Sequence, residues 1–429
     1  MIAVLHASQL QGTVTAAASK SGMQRACALA FLNNGSTLIK NPGNSEDVLA
    51  ALEIIRQLGA TLTQNGDGSI TVLSNGKPVV SGMIDCNESG LSLRMFTAIA
   101  ALGDSVIRLG GKGSLLKRPV GFYDSVLPQL HVSISSNNGL PPITVCGPME
   151  PADISIDSSS SSQYLTGILL AFAKATRQSV VVEVQQLKSK PYIDLTLQML
   201  EHFGYDVRQT SPSTFQVNPV PPRERHIVYE VESDWSGSAF LLVAGALAGD
   251  VNVKGLDIHS AQGDKAILDV LALAGADLSV DEGRIRVTNT LPLRPFDFDA
   301  THYPDLFPPL VALAASCPGI STIRGVSRLA AKESDRAASL KDVFSRMNVN
   351  IQTETDTMTI LGSTAVTGAD VYAHQDHRIA MACAVAALNA TSAMRIEGAE
   401  SVNKSYPAFF DHLKLLGASV SLTGNTTSS

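Results

Sequence analysis

Cysteine is sparse and scattered in this chain. Cys27, Cys86, Cys146, Cys317 and Cys383 form no CxxC pair and sit at no Cys/His metal spacing. That argues against a disulfide framework and against a zinc site, and each is expected to pack as a small apolar residue. Basic charge is in deficit: the formal net charge is −7, so neither nucleic acid nor an anionic membrane is expected as the main partner. Long apolar runs are also missing. The longest, Ala239 to Leu247, is about nine residues, well short of a bilayer span, and reads as a buried helix. The opening residues, Met1 to His6, show no basic region followed by an apolar stretch, so no signal peptide is expected. Together these absences predict a soluble cytoplasmic protein, and a monomer is the default expectation.

What is present suits a well-buried globular chain, 45% apolar and 17% charged. At 429 residues it exceeds one ordinary core, so two domains are expected. Only the small polar end, Gly424 to Ser429, reads as disordered.

One pattern recurs along the chain: an amphipathic helix, a break that often holds glycine, then an alternating strand. It appears clearly at Leu52–Leu62, Leu197–Val207, Leu268–Leu278 and Phe410–Val420, and more weakly at Val126–Ile134 and Val343–Ile351. Anchored at Gly59, Leu130, Gly204, Gly275, Asn348 and Gly417, the copies recur at intervals of about 72 residues, and six of them account for the whole chain. In the first, Val48, Leu49, Leu52, Ile55 and Leu58 make one stripe; Asn44 or Ser45 can cap the start, and Gly59 can end the helix in a left-handed conformation. A unit this long favours three per compact domain over a continuous stack.

Cations and small polar residues collect where helices are expected to begin. Lys20, Ser21 and Arg25 open one helix; Glu88, Gly90 and Arg94 open another; Lys117 and Arg118 precede Pro119, read as a helix start. The run Ser158–Ser162 with Gln163 could be a flexible linker or an anion-binding helix start. Ser189 and Tyr192 sit in a polar loop, and Asp305 lies before an apolar helix that it could cap. Lys332, Glu333 and Arg336 stand at helical spacing, while Asp376 can cap the helix carrying Arg378. Lys404 precedes a last helix. Each segment alone could be a solvated turn. Eight cations, Lys20, Arg25, Arg94, Arg118, Lys332, Arg336, Arg378 and Lys404, would serve strongly anionic ligands if they converge.

At these residues the chain resembles the enolpyruvyl transferases, and within them the branch acting on shikimate 3-phosphate. The Ser-Lys-Ser…Arg, Lys-Arg-Pro, Ser-Ser-Gln, Ser-Lys-Pro-Tyr, Lys-Glu-Ser-Asp-Arg, Asp-His-Arg and Lys-Ser-Tyr-Pro segments carry the likeness over residues 10 to 420, in matching order. The resemblance implies an α/β chain of two domains, an inside-out α/β barrel in which each domain holds three βαβαββ-type units. It places residues 1–18 and 233–429 in one discontinuous domain and 19–232 in an inserted one, with the active site in the cleft between them.

By the same resemblance, shikimate 3-phosphate would meet Ser21, Arg25, Ser161, Ser162, Gln163, Ser189, Tyr192, Asp305 and Lys332. Phosphoenolpyruvate would meet Lys20, Gly90, Arg94, Arg118, Gln163, Arg336, Arg378 and Lys404. Asp305 would take the proton of the 5-hydroxyl, and Glu333 or Lys20 would exchange the proton at C3 of the enol. No metal or organic cofactor is implied. Three departures stand out: Ala17-Ala18-Ser19 replaces the usual Pro-Gly before Lys20, Glu88 to Arg94 lacks the usual Thr, and Arg328 stands where some members have Asn. A UDP-N-acetylglucosamine enolpyruvyl transferase would share fold and donor, but that branch commonly uses a loop cysteine and Gly110 to Pro119 has none. A non-catalytic paralogue binding phosphorylated ligands is the other alternative, opposed by the retained Lys20, Asp305 and Glu333.

Overall fold

The computed structural model describes residues 1–79 and 82–424; of the expected disordered end, 425–429 lie outside the described residues. Among them are six four-stranded sheets, all built to one plan. The clearest runs Ile154–Asp157, helix Ser162–Ala175, Val180–Gln185, helix Lys190–His202, Asp206–Ser211, Thr214–Asn218. Its first two strands pair in parallel, Ile154 opposite Val182, with the helix as crossover. The last strand then inserts antiparallel between the second and third, Val182 opposite Phe215 and Val207 opposite Val217. This is the expected βαβαββ unit, repeated six times.

Two compact units divide the chain: Ala18–Glu232, and Met1–Ala17 with Ser233–Ser429. The smaller segment of the second unit is woven in by pairing. Leu10–Thr15 is the parallel edge strand beside Gly249–Lys254. Ile2–Leu5 lies between Met394–Glu397 and Val420–Thr423, so one sheet is assembled from both ends of the chain.

Within each unit the first helix of every repeat is interior. Trp235–Ala248, Phe307–Ala315 and His377–Ala387 are buried along their whole length and pack on one another. In the other unit Lys20–Leu32, Gly90–Ala100 and Ser162–Ala175 also pack on one another and are buried over most of their length, with Lys20, Ser21, Gln163, Lys174 and Ala175 half-buried. Helices apolar on all sides can be stable only when surrounded, and the sheets surround them. Small residues allow the close approach: a Cβ on Gly167 would come within 2.9 Å of the Arg94 carbonyl on the neighbouring helix.

The second helix of each repeat is one-sided, as Glu46–Gln57 illustrates. Ser45 Oγ caps it by accepting from Val48 N at 3.4 Å, and Val48, Ala51, Ile54 and Ile55 face the core while Leu49 is exposed. After each such helix comes a left-handed residue: Gly59, His131, Gly204, Gly275, Asn348 and Gly417. Four of the six are glycine. His131 and Asn348 fill the role in the two weaker copies, which explains why those were harder to see.

Four of the five cysteines are buried and Cys146 is half-buried; all are free thiols. No helix among the described residues is long and apolar enough to cross a membrane.

Candidate active site

In the Ala18–Glu232 unit the starts of the three interior helices meet. Ser19 caps the first, its Oγ accepting from Gly22 N at 3.1 Å, so the departure from Pro-Gly still leaves a closed helix start. Lys20 follows, paired to Asp47 at 3.1 Å. Ser89 caps the second helix and Ser161 the third. Gln24 ties first to second, Nε2 donating to Ser89 Oγ at 2.6 Å and Ser92 Oγ at 3.1 Å. Arg94 ties second to third, Nη1 donating to Gln163 Oε1 at 2.7 Å, with its guanidinium over the Tyr164 ring at 5.2 Å. The serine run is thus a helix start, with Ser162 buried in the first turn.

Arg118 enters from a loop. Its Nη2 reaches Ser114 Oγ at 3.4 Å, and a Cβ added to Gly90 would lie 2.4 Å from its Nη1. Pro119 does not start a helix as expected: Gly113–Lys117 is a 3-10 turn, and the helix begins at Phe122. The Pro119 carbonyl instead accepts from Tyr164 Oη at 2.5 Å, which seats that ring beneath Arg94. Glu88 turns to the same loop, accepting from Ser114 N at 3.1 Å and Ser114 Oγ at 3.0 Å.

Arg25 is buried and reaches the helix that follows Ser189. Its Nε donates to Thr196 Oγ1 at 2.9 Å, Nη1 to the Ser21 carbonyl at 2.9 Å, and Nη2 to the Tyr192 carbonyl at 3.3 Å. Burial pulls its pKa down to about 10, still cationic at neutral pH. Ser189 is left-handed, φ 53°, at the start of Lys190–His202. Lys20, Ser21, Arg25, Gly90, Arg94, Arg118, Ser161, Ser162, Gln163, Ser189 and Tyr192 therefore all lie on helix starts or adjoining loops of this one unit.

The second unit gathers the others around Arg336. Its Nη1 stands 2.6 Å from Asp305 Oδ1, its Nε 2.9 Å from Asp376 Oδ2, and its Nη2 binds Glu333. Lys332 Nζ lies 3.4 Å from Asp305 Oδ1 and Arg378 Nη2 3.4 Å from Asp305 Oδ2. Lys404 Nζ donates to the Gln375 carbonyl at 2.8 Å. Arg336, Arg378 and Lys404 are buried; Lys332 is half-buried.

Two local readings change. Lys332 and Glu333 are not on a helix, because Arg336–Arg346 is capped by Asp335; the preceding loop carries them to Arg336. Asp305 is not a cap either: Leu306 holds that position without a side-chain bond, and the Asp305 carboxylate is spent on cations.

Burial pushes the Asp305 carboxyl up, but Arg378, Lys332 and Arg336 override it and hold it well below the usual carboxylate range. Burial pulls Lys332 down while Asp305 pulls it back. Burial also disfavours charged Arg336, yet Asp376, Glu333 and Asp305 more than restore it. Arg328 is close enough for Asp305 to oppose the lowering that burial imposes on it. The result is a balanced cluster in which each buried charge is offset by its neighbours.

Sequence reasoning missed Gln24, Thr196, Tyr164 and the pairing of Asp376 with Arg336. Asp376 was visible only as a cap, which it is, its Oδ1 accepting from Arg378 N at 2.9 Å.

The chain is similar to known proteins along nearly its whole length. A family model described as EPSP synthase (3-phosphoshikimate 1-carboxyvinyltransferase) matches residues 4–413. The chain belongs to the EPSP synthase family. A 3-phosphoshikimate 1-carboxyvinyltransferase of Methanosarcina mazei is 35% identical over 429 residues, covering 98% of this chain and 99% of the relative. One from Methanocorpusculum labreanum is 34% identical over 418 residues, covering 97% and 98%. Among solved structures, an EPSP synthase from Acinetobacter baumannii superposes with a TM-score of 0.81 at 25% identity, covering 98% of this chain and 99% of that one. The enolpyruvyl transferase NikO of Streptomyces tendae, at 18% identity, has a TM-score of 0.78 over 98% of each chain and shares the fold. The expected inside-out α/β architecture is thereby that of the EPSP synthase family.

Proposed function

We propose that the helix-start cluster around Arg94 and the carboxylate–guanidinium cluster around Arg336 both supply residues for substrate binding and catalysis. As a member of the EPSP synthase family, the enzyme transfers the enolpyruvyl group of phosphoenolpyruvate to the 5-hydroxyl of shikimate 3-phosphate, releasing phosphate. The observation that carries the assignment of residues is the concentration of buried cations, Arg25, Arg94, Arg118, Arg336, Arg378 and Lys404, in a chain of net charge −7. Cations held beside protein carboxylates and carbonyls suit two polyanionic substrates, whose phosphate and carboxylate groups can take over those contacts.

Shikimate 3-phosphate is assigned to Ser21, Arg25, Ser161, Ser162, Gln163, Ser189, Tyr192, Asp305 and Lys332. Arg25 is already oriented by Thr196, so its geometry is set before the ligand arrives. Phosphoenolpyruvate is assigned to Lys20, Gly90, Arg94, Arg118, Gln163, Arg336, Arg378 and Lys404. Gln163 serves both, since it already accepts from Arg94 and begins the third helix.

In the reaction the 5-hydroxyl attacks C2 of the enol while C3 gains a proton, and the tetrahedral adduct then expels phosphate. Asp305 takes the hydroxyl proton. Before substrates bind, three cations keep it a weak base. When phosphate and carboxylate draw those cations away, its basicity rises where the proton must be received. Glu333, held by Arg336, and Lys20, held by Asp47, are the two groups suited to proton exchange at C3. The arginines stabilise the charge that shifts from carboxylate to departing phosphate. The mechanism draws on side chains alone, and the enzyme is read as an intracellular monomer.

The decisive measurement is phosphate release from phosphoenolpyruvate. It is expected only with shikimate 3-phosphate present. Release driven by UDP-N-acetylglucosamine would assign the other branch, and turnover with neither would make the chain a binding paralogue.

A further inference from the structure

The interior helices of the Ala18–Glu232 unit begin at the candidate site and end at a separate cavity of about 1190 Å³. Asn34 lines it beyond Lys20–Leu32, Leu102 and Gly103 beyond Gly90–Ala100, and Lys174 and Thr176 at the end of Ser162–Ala175. No residue assigned above to a substrate is among the described residues lining it. Helices of this length span roughly 15–20 Å, so the two places lie at opposite helix ends.

The cavity wall carries five cations, Lys77, Lys174, Arg177, Arg223 and Arg225, against the carboxylates Asp104 and Glu150. Two of the cations are anchored. Lys174 Nζ donates to the Leu32 carbonyl at 2.8 Å, and Arg225 Nη1 to the Phe203 carbonyl at 2.6 Å, with its guanidinium over Tyr205 at 5.2 Å. Cations commonly meet carbonyls at helix C-termini, and that accounts for where these two sit. It leaves the rest of the charge unexplained. Arg225 Nε is buried with no hydrogen-bond partner among the described residues. Arg177, Arg223 and Lys77 are exposed and add charge of the same sign around it.

The crowding is felt at Lys174. Burial pulls its pKa down to about 8, and the charges of Arg225 and Lys77 pull the same way. The turn beside it is shaped to admit the ammonium: a Cβ on Gly76, at φ +72°, would lie 2.1 Å from Lys174 Nζ and 2.6 Å from the Leu32 carbonyl. Like charges collected at partly desolvated positions are unfavourable until an anion joins them. Much of the remaining wall is apolar, with Pro78, Leu102, Met149, Pro221 and Tyr205 facing the same space beside the polar Asn34, Asn75, Thr176 and Gln178. An apolar pocket with a few convergent charges suits a small organic ligand.

We propose that this cavity binds a small organic anion, a phosphate or carboxylate carried on an apolar body, independently of the two substrates. Lys174 and Arg225 hold the anionic group, and the proline-rich wall takes the body.

The full chain would be titrated with phenyl phosphate and, separately, with inorganic phosphate, by calorimetry. Phenyl phosphate is expected to bind more tightly, with Lys174→Met weakening it about tenfold or more while kcat of the transferase stays unchanged. Lys20→Met, at the other helix end, should leave this binding intact. Affinity should fall as pH rises from about 7 to about 9, because Lys174 loses its proton over that range. Should Lys174→Met fold poorly, the exposed pair Arg177→Gln and Arg223→Gln is expected to weaken binding about threefold or more. Unchanged affinity in these variants, or loss in Lys20→Met alone, would overturn the proposal. Equal affinity for the two probes would overturn the assignment of an apolar body.

Discussion

Arg336 Nη1 stands 2.6 Å from Asp305 Oδ1, and the same guanidinium binds Asp376 and Glu333. One buried cation therefore fixes Asp305, a second carboxylate and the start of an interior helix together. On the proposed assignment, turnover exchanges these carboxylate partners for the anionic groups of the substrates.

Asp305 is expected to matter for turnover more than for folding. Asp305→Asn keeps the shape and some hydrogen bonding but cannot take a proton, so kcat should fall by about 10²–10⁴. The melting temperature should move by only a few degrees. Steady-state phosphate release and thermal melts on the same preparation check both, and an unchanged kcat would remove Asp305 from proton transfer.

Arg336→Lys tests the three-way hold. A lysine is a point charge and cannot span Asp305, Glu333 and Asp376 in one plane. The variant should lose about 3–5 kcal/mol of stability, because buried Asp376 keeps its charge and loses the guanidinium, left with the Arg378 N–H and the Ser334 hydroxyl. The KM for phosphoenolpyruvate should rise in parallel. Denaturant unfolding of the variant against the parent reads the first effect; a loss under about 1 kcal/mol would mean Asp376 is satisfied without Arg336.

Much of this was legible in the sequence because helix starts advertise themselves. Ser45, Ser161 and Asp376 cap where small polar residues precede apolar runs. The repeat was legible because each second helix must end in a left-handed residue, and glycine marks four of the six ends. Contacts across repeats were not. Gln24 gives no local signal, since its partners Ser89 and Ser92 are more than sixty residues away in the chain. Lys332 and Glu333 were placed on a helix from their spacing, whereas Asp335 caps one turn later and the loop does the positioning. Spacing predicts neighbours only once the element is known, and a cap can shift the element past the residues of interest.

Gln24 should behave as a structural tie with a functional cost. Its Nε2 bonds Ser89 and Ser92 inside the helix junction, so Gln24→Leu leaves buried hydroxyls without that donor. A stability loss of about 1–3 kcal/mol is expected. Since Ser89 caps the helix carrying Gly90 and Arg94, the KM for phosphoenolpyruvate should rise as well. Denaturation midpoints and KM for each substrate, measured together, separate a local tie from general unfolding.

Gly90 is expected to be limited by space rather than by backbone conformation. A Cβ there would fall 2.4 Å from Arg118 Nη1, a contact relieved only if the guanidinium moves. Gly90→Ala should therefore raise the KM for phosphoenolpyruvate about tenfold, with less effect on shikimate 3-phosphate. Equal effects on both substrates would mean that Arg118 has no preference for the donor.

The contact between Tyr406 and His412 on the helix Phe409–Leu415 should make the enzyme sensitive to mild acid. His412 Nδ1 and Tyr406 Oη are 2.7 Å apart, an interaction in which a neutral ring can accept. Burial lowers the His412 pKa, and Asp411 only partly opposes this. The folded state therefore binds this proton less readily than the unfolded chain. Its contribution is intact above the usual imidazole value of about 6.5 and is lost as pH falls below it toward the lower folded value. Melting temperature should thus decline between about pH 7 and about pH 5.5 by more in the parent than in His412→Gln, whose amide oxygen can still accept from Tyr406 but does not titrate. Parallel declines in the two proteins would show that the acid sensitivity arises elsewhere, in the Asp305 group or among the surface carboxylates.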